Sequence, residues 1–105
     1  MDGRSPLTAA AGDIWLADRG EEARRLVFVI SDSRFHRLAE RAIVAPVLLT
    51  APVPPRPWHI PLTENRAVAV NQLGTLAIDR LLERVEWAGA ETLRQARRAV
   101  RAITS

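Results

Sequence analysis

Short apolar runs separated by polar turns dominate the first half of the chain, a pattern typical of β-strands. Ile14–Ala17 follow a Gly-Asp turn signal and predict a first strand. Leu26–Ile30 are five apolar residues in succession, which is the pattern of a strand buried on both faces. Ala42–Leu49 form a third run of the same kind. These three runs predict strands that lie in the core of the protein.

Turn residues and shorter apolar runs fill the second half. Ala51–Pro57 contain four prolines, which cannot donate hydrogen bonds to a strand ladder, so we expect a stiff loop there. Gly74 and Thr75 are expected to break the chain, and Leu76–Leu82 to form a turn of helix. Three further strands are predicted, the first two separated by a polar turn at residues 63–66: Trp58–Leu62, Ala67–Asn71 and Leu82–Trp87.

Caps and apolar periodicity predict two helices. The side chains of Ser31–Ser33 are suited to an N-cap, and Arg34–Glu40 then complete about two turns, with Phe35, Leu38 and Ala39 on one face. A second helix follows Gly89 and ends the chain. Its apolar face consists of Leu93, Ala96, Val100 and Ile103. Its remaining surface carries four arginines: Arg94, Arg97, Arg98 and Arg101. Five or six strands with two helices predict an α+β domain over residues 12–105, preceded by a flexible leader at residues 1–11.

Composition narrows the class of protein. A chain of 105 residues with 48% hydrophobic content is expected to form one globular domain. No apolar run approaches the roughly 20 residues of a membrane span, and the first residues lack the design of a signal peptide. Together with the absence of cysteine, this predicts a cytoplasmic protein without disulfides. Two histidines, His36 and His59, are too few for a histidine zinc site, so no metal or cofactor is expected.

All fifteen basic residues are arginines, and the net charge of +3 arises in the second half of the chain. Arginine binds phosphate through a planar fork and stacks on bases, so this usage is compatible with nucleic-acid binding. Codon bias in a GC-rich genome would produce the same composition. Charge alone therefore leaves both interpretations open.

Four segments carry a resemblance to a known family through their order and spacing: Gly12–Asp18, Arg24–Ser31, Ile43–Val47 and Val70–Thr75. In this order they resemble the PemK/MazF family of bacterial toxins, the ribonuclease halves of toxin–antitoxin pairs. The resemblance implies an SH3-like twisted antiparallel sheet or partial barrel with a C-terminal helix. It also implies a homodimer that cleaves single-stranded RNA without a metal, through the RNA's own 2′-hydroxyl, and that is inhibited by a cognate antitoxin.

The resemblance places Arg25 at the position of the family's catalytic arginine, although Leu26 replaces the family proline that follows it. A fixed guanidinium suits the extra negative charge of a phosphorane-like transition state. The alternative is an ordinary ion pair with Glu21 or Glu22. Arg24, beside Arg25, is expected to contact the RNA backbone. The connection 18–24 is shorter than usual in the family, which would leave the RNA groove more open.

The family's active-site threonine is replaced by Leu48, which cannot form a hydrogen bond. Thr50 lies two residues later, on the same face if the strand continues, so it is a candidate catalytic residue. It could equally be an ordinary threonine at a strand end. Ser31 and His59 are the other candidates for the missing hydrogen bond or base.

Five further residues are predicted to bind RNA: Arg56, Trp58, His59, Asn71 and Gln72. Trp58 could stack on a base or close the core, and His59 could act as a base or have no role. Asn71 replaces an acid of the family and so loses its charge, whereas Gln72 is retained.

A second class of function uses the same fold without catalysis. The related CcdB toxins bind DNA gyrase through their terminal helix, and a degenerate ribonuclease would keep only antitoxin or RNA binding. Loss of the threonine and the acid is compatible with both. The aromatic-Gly-Ile ending typical of CcdB is absent from Ile103–Ser105, which argues against the gyrase alternative.

Overall fold

A computed structural model describes residues 6–18 and 24–104 of the chain. These residues form seven strands and two α-helices, which confirms the α+β class and the terminal helix. The elements in chain order are β1 (Asp13–Ala17), β2 (Arg25–Val29), α1 (Ser33–Ala39), β3 (Arg41–Leu48), β4 (His59–Pro61), β5 (Ala67–Ala69), β6 (Gly74–Ala77), β7 (Leu81–Trp87) and α2 (Ala90–Thr104).

One antiparallel sheet contains all seven strands in the order β4-β5-β3-β2-β1-β7, with β6 paired to β3 beside this path. On the edge of β3 that faces away from β2, two strands share its eight residues. The first half of β3 pairs with β6, and its last two residues pair with β5. Strand β7 lies at an edge and shifts register twice against β1, at Val85 and Leu82. An extra residue at each shift gives β7 two bulges.

Apolar side chains cover both faces of the sheet. On one face, here called the helix face, Phe28 and Val68 pack with Ala96 and Ala99 of α2. On the other, here called the leader face, Trp15, Val27 and Val29 pack with Ala9. Both faces of β2 are therefore buried, as its uninterrupted apolar run predicted.

The two edges of the sheet approach each other at one side chain pair. Nη2 of Arg66, in the turn before β5, lies 3.0 Å from Oε2 of Glu86 in β7. These strands are at opposite ends of the strand order, so the sheet must curl to bring them together. The partial barrel that the resemblance implied is thus present, and its open side, between β4–β5 and β7, is called the seam below.

Strand β6 is the element that the sequence did not predict. Gly74 and Thr75 were expected to break the chain, but they pair with Val44 and Ile43 of β3. A strand of four residues takes its stability from a distant partner rather than from a local pattern. In addition, β5 ends at Ala69, because residues 70–72 turn into a short 3₁₀ helix.

Helix α1 begins as predicted but buries a different face. The carboxylate of Asp32 accepts a hydrogen bond from Phe35 N at 3.0 Å, and this bond lowers the pKa of Asp32. Leu38, expected on the apolar face, is 87% exposed, and His36 is completely buried instead. The physical reason is that both ring nitrogens of His36 find hydrogen-bond partners inside the fold.

The described part of the predicted leader is packed into the domain rather than loose. Residues 6–8 form a 3₁₀ helix, and Ala9 is fully buried on the leader face. Gly12 N donates to Val29 O at 2.8 Å, which joins this segment to β2. Residues 1–5 lie outside the described part of the chain.

Helix α2 matches its predicted faces except at its last turn. Ala96 and Ala99 are buried and Leu93 and Val100 pack against the same cluster, but Ile103, predicted on the apolar face, is 43% exposed. Arg94, Arg98 and Arg101 are exposed, whereas Arg97 is half-buried and donates to Ile30 O at 3.0 Å. None of the described helices is long and apolar enough to cross a membrane.

Candidate active site

Arg25 lies beside the position of the missing threonine. Arg25 opens β2, and Leu48 ends β3. The β2–β3 ladder ends with Val27 opposite Pro46, and the same register carried two residues further would bring Arg25 opposite Leu48. The predicted catalytic arginine and the strand end expected to complete its site therefore lie at the same end of the β2–β3 pair.

This row of residues extends across the sheet. Leu48 pairs with Ala67 of β5, and Ala67 pairs with Pro61 of β4. By strand alternation these residues point to the leader face, the side on which Val27 and Val29 are buried. The four residues Arg25, Leu48, Ala67 and Pro61 are called the Arg25 row below.

The side chains of Arg24 and Arg25 are exposed. A guanidinium in this position can present its donors to a phosphate that arrives from solvent. The alternative partners Glu21 and Glu22, and most of the shortened connection to β1, lie outside the described residues.

Thr50 does not continue the alternation of β3. The strand ends at Leu48, and residues 49 and 50 form a bend. Ala51 N then donates to Asn65 O at 2.6 Å, which turns the chain toward β5. Thr50 is exposed near the Arg25 row, but the premise that it shares the face of Leu48 is not met.

Ser31 lies at the opposite end of β2 from Arg25, about 20 Å away at the rise of an extended strand. Its Oγ accepts a hydrogen bond from Ile43 N at 2.8 Å and lies 2.6 Å from His36 Nε2. Within one chain, Ser31 is therefore not placed to supply a hydrogen bond to a phosphate held by Arg25. Its hydroxyl instead forms hydrogen bonds within the fold, with His36 and Ile43.

His36 connects three parts of the fold, a role that no pattern in the sequence indicated. Its Nδ1 lies 3.0 Å from the carbonyl oxygen of Ala9, which can only accept, so Nδ1 carries the proton. Its Nε2 then accepts from the Ser31 hydroxyl. Because Ser31 also binds Ile43, one histidine links the leader, α1 and β3.

The buried ring predicts a stability that depends on pH. Burial lowers the pKa of His36 below its usual 6.5, and the bond to Ala9 offsets part of that shift. The unfolded chain therefore takes up a proton more readily, so the free energy of unfolding should fall as pH drops below about 6.5. Urea unfolding between about pH 7.5 and 5.5 would measure this, with His36→Gln as the comparison. Equal slopes for the two proteins would refute it.

Arg56 and His59 form a turn at the start of β4. His59 N donates to Arg56 O at 3.0 Å, and Arg56 N donates to His59 Nδ1 at 3.2 Å. Since Nδ1 accepts, the neutral ring carries its proton on Nε2 and is a donor there. The neighbouring Trp58 ring meets it edge-on, with centroids 6.1 Å apart, and packs partly on the helix-face core.

Asn71 and Gln72 are exposed in the 3₁₀ helix that follows β5. Val70 N donates to Trp58 O at 2.9 Å, so this helix is fixed beside the start of β4. The structure thus gathers five predicted RNA-binding residues at one end of β4 and β5, here called the Trp58 cluster: Arg56, Trp58, His59, Asn71 and Gln72.

The Trp58 cluster and Arg25 do not meet within one chain. His59 stands three strands across and two residues along from Arg25, a separation of roughly 15 Å. Arg25 and the His59 imidazole are therefore not neighbours in the same chain.

The Gly12–Trp15 segment, part of one of the four segments that carry the resemblance, has a structural role. The buried carboxylate of Asp13 accepts hydrogen bonds from Ala10 N at 2.8 Å, Trp15 Nε1 at 3.2 Å and Arg84 Nε at 3.0 Å. Gly12 has φ +92°, and a Cβ at this position would lie 2.8 Å from Trp87 Nε1. The segment fixes the start of β1 and takes no part in the Arg25 row.

Solved structures share this fold. A MazE-MazF complex from Deinococcus radiodurans is 20% identical, with a TM-score of 0.79 over 91% of this chain and 94% of its own. An endoribonuclease from a mycobacterial species is 13% identical, with a TM-score of 0.77 over 90% and 89%. A mycobacterial endoribonuclease in complex with its cognate antitoxin is 15% identical, with a TM-score of 0.76 over 90% and 92%. At these identities the likeness is one of fold.

A curled antiparallel sheet closed by a terminal helix is the architecture that this chain shares with MazF. A family model described as PemK-like, MazF-like toxin of type II toxin-antitoxin system matches residues 10–104. The chain belongs to this family of endoribonuclease toxins. No curated protein is significantly similar to it in sequence.

Proposed function

We propose that this chain is a cytoplasmic endoribonuclease that cleaves single-stranded RNA at a short sequence without a metal ion. The supporting observation is the family match over residues 10–104, combined with an exposed Arg25 that lies where the family's catalytic arginine is expected. A cognate antitoxin is the expected inhibitor, since similar structures are toxin complexes with such a partner.

The chemistry requires little of the protein beyond charge and position. The 2′-oxygen loses its proton and attacks the adjacent phosphorus, and the bond from phosphorus to the 5′-oxygen breaks as that oxygen gains a proton. The products are a 2′,3′-cyclic phosphate and a free 5′-hydroxyl. Arg25 would donate from two nitrogens to the phosphorane oxygens, where charge develops. Its part would be electrostatic, to hold the developing charge rather than to transfer a proton.

A homodimer would join the two separated groups of residues. Arg25 and the Trp58 cluster are roughly 15 Å apart within a single chain, and a second copy could place its Trp58 cluster closer to Arg25. A two-fold axis would form two such sites at once. Several exposed apolar side chains, among them Leu49 and Val53, offer surface for this contact. Sedimentation should therefore give about twice the 11.6 kDa of one chain.

Incubation of the purified protein with a long single-stranded RNA in EDTA tests the proposal. Cleavage should continue in the chelator and leave 2′,3′-cyclic phosphate ends. The same RNA with 2′-O-methyl groups should resist, because the nucleophile is blocked. If no unmodified RNA is cut, the chain is better described as a binding protein on the same fold.

Leu48→Thr should raise the cleavage rate by at least about tenfold, because it places a hydroxyl next to Arg25 where charge develops. Leu48 is half-buried, so the loss of its apolar contacts could instead lower the melting temperature. Single-turnover rates and melting temperatures should be measured together. Val85→Thr, which adds a hydroxyl at an exposed position of β7, is the matched control. A folded Leu48→Thr variant with an unchanged rate would contradict the prediction.

A further inference from the structure

A cleft of about 430 Å³ opens along the seam of the barrel. It lies between the turn that joins β4 to β5, the end of β7 and the first turn of α2. Its principal lining residues are Ile14, Leu62, Thr63, Arg66, Glu86 and Trp87, and Pro61 lies at its rim. This volume is in the range of small-ligand sites, and the lining combines an aromatic ring with a few fixed polar groups.

Trp87 provides a flat and fixed wall. Half of the side chain is exposed, yet its Nε1 donates to Ala11 O at 3.3 Å. Gly12 allows the indole to lie against the backbone, since a Cβ there would collide with it. An exposed aromatic ring held in this way is a platform on which a planar group can stack without first becoming ordered.

Arg66 and Glu86 provide the polar side of the cleft. The Arg66 guanidinium is held by Thr63 O at 3.2 Å, Thr63 Oγ1 at 3.3 Å and Glu86 Oε2 at 3.0 Å. The Glu86 carboxylate is 44% exposed, so it can accept further hydrogen bonds. Because the pair has no net charge, the cleft favours a neutral, planar ligand with N–H donors over an ion.

The cleft also adjoins the predicted path of RNA. Pro61, at its rim, is the last member of the Arg25 row, three strands from Arg25. At the usual strand spacing this is about 14 Å, a distance that a short run of nucleotides spans. The Arg25 row points to the leader face and the cleft opens beside α2, so an RNA strand held at Arg25 would cross the β4 edge at Pro61 to place a base in the cleft.

We propose that the seam cleft binds a guanine base of the RNA substrate and so contributes to the choice of the cut sequence. This inference rests on the proposed ribonuclease function. Guanine presents two adjacent donors, N1–H and N2–H, which match the two oxygens of the Glu86 carboxylate. Uracil has one such donor, and adenine and cytosine offer a single amino group. Single-stranded RNA leaves this edge of the base accessible, and Trp87 stacks on its face.

The test uses uncleavable 2′-O-methyl oligonucleotides that carry one guanine in a run of uracil. Replacing the guanine with inosine removes only the N2 amino group and should weaken binding about tenfold. Glu86→Gln should abolish the difference between guanine and inosine, whereas Glu83→Gln, on the same strand but outside the cleft, should preserve it. Trp87→Phe should weaken binding to every oligonucleotide with a base in the cleft.

The inosine comparison requires no change to the protein, so it remains decisive if a variant proves unstable. Equal affinities for guanine and inosine in the wild-type protein would overturn the inference, as would an unchanged preference in a folded Glu86→Gln variant. Cleavage of a long RNA in EDTA is measured separately. An active enzyme with no guanine preference contradicts the cleft alone, and an inactive protein that keeps a Glu86-dependent preference contradicts the ribonuclease function alone.

Discussion

Replacing Arg25 with alanine is expected to slow RNA cleavage by about 100- to 1,000-fold, the effect of removing a charged donor aimed at a developing oxyanion. Arg25 is exposed at the end of β2, so the fold should survive the change. Leu48, at the end of β3, has no hydrogen-bonding group and cannot replace the lost guanidinium. The loss should therefore be seen in the chemical step rather than in folding.

Single-turnover kinetics with saturating enzyme would measure this effect. Arg25→Lys keeps the charge but loses the planar fork, so an intermediate rate is expected. Arg98→Ala removes an exposed arginine from α2, far from the Arg25 row, and should retain the wild-type rate. Equal rates for Arg25→Ala and the wild type would show that another residue stabilises the transition state.

Asp13→Ala should produce the largest loss of stability, about 3 kcal/mol. The substitution leaves Trp15 Nε1 and Ala10 N without their acceptor in the interior, and it removes the carboxylate partner of Arg84. A small domain is stable by only about 5–15 kcal/mol, so a substantial part of the total would be lost. Chemical unfolding by urea would measure the change.

Asp13→Asn separates charge from hydrogen bonding. The amide oxygen can still accept from one or two of the three donors, so a smaller loss is expected. Asp79→Ala, in an exposed 3₁₀ turn, controls for the removal of an acidic side chain. A stability of Asp13→Ala within about 0.5 kcal/mol of the wild type would be typical of a surface site and would contradict the proposed network.

The central strands could be predicted because consecutive apolar residues in the sequence indicate their burial. Leu26–Ile30 have no polar position, and β2 indeed lies between two covered faces. Helix α1 could not be read in this way, because apolar spacing favoured Leu38, whereas two distant hydrogen-bond partners buried His36. Strand β6 depends on pairing with β3, across about thirty residues, and local pattern carries no record of that contact.

The candidate site was predictable only in part, for a similar reason. Motif order made Arg25 the candidate, and the register of β2 and β3, extended past its last pair, brings Leu48 toward it. That the Trp58 cluster would gather away from Arg25 depends on strand register, which the sequence does not reveal. The seam cleft unites Arg66 with Glu86, twenty residues apart and at opposite ends of the strand order. No periodicity in the sequence connects these two positions.

The two bulges of β7 bear on how this molecule behaves at high concentration. An evenly spaced edge can serve as a template to which one molecule after another adds a strand. At Leu82 and Val85 the spacing of β7 is interrupted, so its outer hydrogen-bonding groups are out of step with a regular incoming strand. The apolar side chains at these positions are exposed, but this edge is a poor template for fibre growth. Self-association through β7 should therefore stop at small complexes.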